Sequence, residues 1–134
     1  MSRQAAYAFH EWIRDHVARN RPYDEFVRGV VAAAGEWQDA PAVNWYWQMR
    51  DDQLHQPVAD TAQVFLGLRL QCAKCHHHPY ERWSQDDYFS MAAFFSQVGR
   101  KPSATRGEDL IFHKRGVAQA THMKTGAAMK PAAL

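Results

Sequence analysis

Two cysteines among 134 residues are too few to staple a fold with disulfides. No run of about 18 apolar residues occurs, so no membrane-spanning helix is expected. Neither sign of charge dominates: 16 Lys and Arg against 14 Asp and Glu leave +2 with His neutral. That balance excludes electrostatic capture of nucleic acid as a main role, since such capture needs a clustered basic face. Gly-rich phosphate loops, G-x-S-x-G and H-E-x-x-H are missing, and with them the commonest signatures of nucleotide binding, esterase and zinc-protease chemistry. Internal repeats and low-complexity tracts are missing too. The first residues offer no uninterrupted apolar stretch before Glu11 and Arg14, so they do not read as a signal peptide. What is there is 46% hydrophobic and 22% charged, ordinary globular usage for one domain, with eight His and five Trp as the surplus.

Hydrophobic spacing predicts a mainly α-helical fold. Ala6, Phe9, Trp12, Ile13, His16 and Val17 mark an amphipathic helix over 3–19, broken by Asn20-Arg21-Pro22. Phe26, Val27, Val30 and Val31 mark a second over 23–34, with Gly35 as its stop. Residues 36–44 read as a loop, and Trp45-Tyr46-Trp47 as an aromatic cover for one edge of the core. A third helix should begin at Pro57 and face inward through Val58, Ala62, Phe65, Leu66 and Leu68. Ser84-Gln85-Asp86-Asp87 reads as a capping box opening a fourth, with Tyr88, Met91, Ala92, Phe95 and Val98 as its stripe and Gly99 closing it. A polar linker over 100–109 should lead to a weak hairpin built from Leu110-Ile111-Phe112, Lys114-Arg115-Gly116 and Val117. The expected division is therefore a helical domain over 1–99 and a linker with an irregular or short β-hairpin arm over 100–134, a chain cut from something longer.

The two cysteines are three apart. Cys72-Ala73-Lys74-Cys75-His76 is C-x-x-C-H, the attachment signature of c-type haem. Two thiols at this spacing can reach the two vinyl groups of one porphyrin, and the next residue sets an imidazole under the iron. Cys72 and Cys75 are then the thioether positions and His76 the proximal ligand. Three other readings stand beside it. Zinc would use Cys72, Cys75 and His78 (or His76), with a distant His as the fourth ligand. Thiol–disulfide exchange usually keeps βαβ company, which this sequence lacks. The blandest reading is a pair of thiols in an interaction domain. A second axial ligand, if there is one, comes from His122, Met123, Met91, His55 or His113. Met91 sits on an apolar stripe and reads first as core.

Other groups read more plainly. Asp86-Asp87 and Asp51-Asp52 suit helix starts, where they offset the dipole, better than acid–base catalysis. Arg14, Arg19, Arg21 and Arg28 form a basic cluster that reads as a solvated face. His10 and His16 read as surface or capping residues, and Trp45, Trp47, Phe65, Phe94 and Phe95 are placed at the core or beside the cofactor.

Across 7–131 the sequence resembles the planctomycete cytochrome-like domain of unknown function 1549, found in large secreted bacterial proteins. Arg21-Pro22-Tyr23-Asp24-Glu25-Phe26-Val27-Arg28 resembles its N-x-P-Y-D-x-F-V-R element. Thr61 through His76 resembles its central helix and C-x-x-C-H; His78 through Tyr88, and Ala92-Ala93-Phe94-Phe95, resemble the runs that follow. His122 with Thr125-Gly126 resembles a later H-P-x-T-G-K element. Met123 stands where the family has Pro and Met91 where it more often has Gly or Leu, which favours His122 as the distal ligand. The resemblance implies haem c and an extracytoplasmic setting (periplasmic or secreted), usually beside other domains. With the C-x-x-C-H motif it leads to an electron-transfer or binding module more readily than to an enzyme, with a redox partner or neighbouring domains of the full-length protein as its partners. It also raises a role within a polysaccharide-degrading surface protein.

Overall fold

The computed structural model describes residues 1–48 and 55–134. Asp51-Asp52 lie outside the described residues. The chain forms two compact units that interleave along the sequence: 1–48 with 98–113, and the described part of 49–97 with 114–134. Position 99, the expected domain boundary, falls inside a strand. Helices predominate, with short antiparallel strand pairs toward the C-terminus, so the mainly α expectation with a hairpin arm holds.

In the first unit, α1 spans Arg3–Ala18, and Ser2 caps it by accepting a hydrogen bond from the Ala5 N–H. Asn20 takes a left-handed φ of 47°, turning the chain so that Pro22 opens α2, Tyr23–Val31. The helices meet through a ring cluster in which Trp12 lies 5.4 Å from Phe26 and 3.9 Å from His16. Gly29 permits that approach, since a Cβ there would sit 2.9 Å from the Trp12 ring. The buried stripe of α1 is turned from the expected one: Ala5 is buried, while Ala6 and Val17 are exposed. α2 stops three residues before the predicted end, and Gly35 (φ 112°) instead pairs with Ile111 as an isolated bridge. The segment Pro41–Gln48 is a 3-10 helix that buries Tyr46, whose hydroxyl donates to the Val31 carbonyl.

The hairpin of this unit pairs β1, Val98–Pro102, with β2, Asp109–His113. This corrects two expectations. Val98 and Gly99 belong to a strand rather than to the fourth helix, and the partner of 110–112 lies upstream instead of at Val117. The short apolar run marked 110–112 as extended, but the choice of partner depends on contacts distant in sequence.

In the second unit, α3 spans His55–Leu66 and includes Pro57, the residue expected to open it. Gly67 (φ 70°) ends it, and the Leu68 N–H returns to the Ala62 carbonyl at 3.0 Å. Val58 and Ala62 are buried as expected, but Leu66 is exposed. A 3-10 helix, Leu70–Lys74, follows. α4, Gln85–Phe95, carries the predicted capping box: Ser84 Oγ accepts from the Asp87 N–H, and the Asp87 carboxylate accepts from the Ser84 N–H. Tyr88, Phe89, Ala92, Ala93 and Phe95 are buried, whereas Phe94, expected at the core or beside the cofactor, is 51% exposed and so outside the core. The arm crosses α4 as β3, Ala120–Thr121, paired with β4, Ala128–Met129.

Candidate functional site

The C-x-x-C-H motif lies on the 3-10 helix Leu70–Lys74 and its C-cap, Cys75. Three residues per turn make positions i and i+3 eclipse. Leu70 and Ala73 are therefore buried together on one side, and Cys72 and Cys75 are exposed together on another, both as free thiols. The turn is held by N–H groups of Cys75 and His76, which donate to the Cys72 carbonyl at 3.3 Å each. An apolar anchor at Leu70 and Ala73 thus presents two thiols in register.

The three consecutive histidines differ in chemistry. His76 is exposed, and its Nδ1 lies 2.7 Å from the His77 carbonyl. A carbonyl can only accept, so in the neutral ring Nδ1 carries the proton and Nε2 keeps a bare lone pair, the form a metal binds. His77 Nδ1 accepts from the Gln85 N–H at 3.4 Å, one of the orphan donors at the start of α4. His78 Nδ1 accepts from the N–H groups of Tyr80 and Glu81 at 3.3 and 3.0 Å. In the neutral ring this puts the proton of His78 on Nε2, so neither of its nitrogens offers a free lone pair. The turn therefore offers two exposed thiols and one presented imidazole, the donors that a haem of the c type would need. As placed, His78 offers no free nitrogen lone pair beside Cys72 and Cys75. Among the described residues, no group of three or more His, Cys, Asp or Glu side chains is placed to hold a metal ion.

The first turn of α4 ties this loop down. Gln85 is buried, and its side-chain amide donates to the Lys74 carbonyl at 3.1 Å. Its backbone N–H reaches His77, and the His78 N–H donates to the Trp83 carbonyl at 2.8 Å. Asp86 faces His122 Nε2 at 3.4 Å.

The candidates for a second axial ligand are scattered. His122 is 3% exposed, and its Nδ1 accepts from the N–H groups of Lys124 and Thr125, both at 3.2 Å. With Nε2 toward Asp86, both nitrogens are engaged, and the ring packs 5.0 Å from Phe89. His55 Nδ1 lies 2.7 Å from the Tyr88 hydroxyl. Met91 is half-buried on α4, and Met123 is 57% exposed in the turn of the arm. His113 belongs to the first unit, exposed at the end of β2.

Sequence reasoning missed Gln85, His77 and the turn-forming roles of His78 and His122. The last two share a local signal: each accepts from the N–H groups two and three residues on, as Asn and Asp do in Asx turns. The expected basic cluster is neutralised on its own helices, with Arg14 beside Glu11, Arg19 beside Asp15, Arg21 near Glu25 and Arg28 near Asp24. A groove of about 290 Å³ in the first unit involves His16, Arg21, Tyr23 and Phe26, but the His16 Nδ1–H is already spent on the Trp12 carbonyl.

A family model described as a protein of unknown function (DUF1549), PSCyt2, matches residues 1–100. No curated protein and no solved structure matches the chain.

Proposed function

The chain belongs to the DUF1549 family, and from that footing we propose that its second unit is a c-type haem-binding module that carries electrons within a larger extracytoplasmic protein. The observation that carries the reading is the paired exposure of Cys72 and Cys75 next to His76, with its Nδ1 proton tied to the His77 carbonyl. Haem, when bound, supplies reversible one-electron chemistry at iron. The chain's own part is to hold the sulfurs in register, present Nε2 of His76 and keep that ring from turning. Electron transfer implies a redox partner, or neighbouring domains of the full-length protein. Attachment of haem c outside the cytoplasm implies a periplasmic or secreted location.

Export with a haem-maturation system is the test. A covalent haem mass and a sharp α band in the reduced-minus-oxidised spectrum are expected, and both disappear when Cys72 and Cys75 are replaced by Ala. Exported protein with neither signal overturns the proposal. His76→Ala keeps the covalent mass and changes the ligand-field bands; unchanged bands remove His76 from the iron.

A further inference from the structure

The geometry points to His77 and His78 as positioning residues that fix the tautomer and direction of His76 before any cofactor arrives. The inference rests on the reading of His76 as the ligand for its purpose, but its geometry stands on the protein alone.

Among the described residues, the His76 ring is held by the carbonyl of His77, so the ring is oriented as well as that carbonyl is. A carbonyl in an exposed loop would ordinarily turn freely and release the imidazole to either tautomer. Here it is clamped from both sides. On the His77 residue itself, Nδ1 accepts from the Gln85 N–H at the start of α4, an element anchored by its capping box. On the next residue, the His78 N–H donates to the Trp83 carbonyl, and the His78 ring accepts from the Tyr80 and Glu81 N–H groups, closing the turn 78–83. Pro79, with its fixed φ and no N–H, starts that turn without leaving a donor unpaired. Three adjacent imidazoles therefore hold three different jobs, with one presented lone pair and two acceptors that secure it. Ligating histidines are commonly oriented by a partner on the other ring nitrogen, and loosening such a partner typically costs about tenfold or more in metal affinity.

The test uses the full chain produced without haem maturation, at mildly alkaline pH, by long-range proton–nitrogen NMR of the imidazoles. The expected wild-type pattern is His76 protonated on Nδ1 and His78 protonated on Nε2. In His78→Ala, His76 should become a mixture of tautomers. In His78→Asn it should return to a single one, because an Asn side-chain oxygen can accept the same two N–H groups. A wild-type His76 protonated on Nε2 overturns the inference without any variant. So does a folded His78→Ala protein whose His76 stays in the single Nδ1–H form. If His78→Ala fails to fold, the wild-type pattern and the Asn variant decide. Failure of haem to attach to exported protein that shows the expected tautomers sinks the haem reading and leaves this inference standing.

Discussion

Tyr46 puts a phenol where no water reaches it and satisfies it with one acceptor, the Val31 carbonyl at the end of α2. Burial favours the neutral hydroxyl, which pushes its pKa well above the usual value of about 10. The folded state then keeps a proton that the unfolded state gives up. The stability this contributes is fully present below about pH 10 and is lost as pH rises from there toward the raised folded value, by about 1.4 kcal/mol per unit at most. Tyr46→Phe removes the titration and takes this donor from the Val31 carbonyl, at a cost of about 1 kcal/mol near neutrality. Urea unfolding at about pH 9 and about pH 11 checks both parts, since the gap between wild type and variant should narrow at the higher pH. A gap that stays constant means the phenol titrates alike in both states. A second residue-scale case is His122, buried against Phe89 with Nδ1 closing the 122–125 turn. His122→Ala unpairs two N–H groups and opens a void, so a loss of about 2–4 kcal/mol in denaturant unfolding is expected; a loss below 1 kcal/mol would show that the turn closes without the ring.

Within the elements, the β1–β2 pair depends on a glycine facing an aromatic ring. Gly99 stands opposite Phe112, whose ring lies 2.6 Å from where a Cβ would be. Gly99→Ala should therefore cost about 1–3 kcal/mol through overpacking. With Phe112 already changed to Ala the clash is gone, and the same substitution should gain about 0.5 kcal/mol from lower chain entropy. This reversal of sign in a double-mutant cycle is the diagnostic; equal costs in both backgrounds rule out the ring as the cause. At the start of α4, the capping box stabilises the helix and, through Gln85 and Asp86, the loop of the cysteine motif and the turn of the arm. Ser84→Ala should cost about 1 kcal/mol. It should also speed amide exchange at His78, outside the helix; exchange faster only within the first turn of α4 would leave the motif independent of this cap.

At the level of the whole molecule, what was legible in the sequence was local. Ser84 and Asp87 are three residues apart, and the box they form needs nothing else. C-x-x-C-H is likewise contained in five residues. The 3-10 register that puts both thiols on one side was not legible, because it is set by Leu70 and Ala73 packing inward. The pairing of 98–102 with 109–113, the burial of His122 and the exposure of Phe94 depend on which segments return to which unit, and hydrophobic spacing carries no such information. That return also makes the family match shorter than what folds. The match ends at residue 100, inside β1, yet Ile111 is buried in the first unit, and Ala120 and His122 are buried in the second. A fragment ending at residue 100 deprives β1 of its partner, Gly35 of its bridge to Ile111 and Phe89 of the His122 ring. It should therefore unfold at a markedly lower denaturant concentration and bind hydrophobic dyes where the full chain does not. Adding residues 101–113 should restore protection of the Gly35 amide, which donates to the Ile111 carbonyl at 2.8 Å, while Phe89 remains uncovered. A 1–100 fragment as stable as the full chain would show that both returning segments are dispensable, and that the matched region contains its own core.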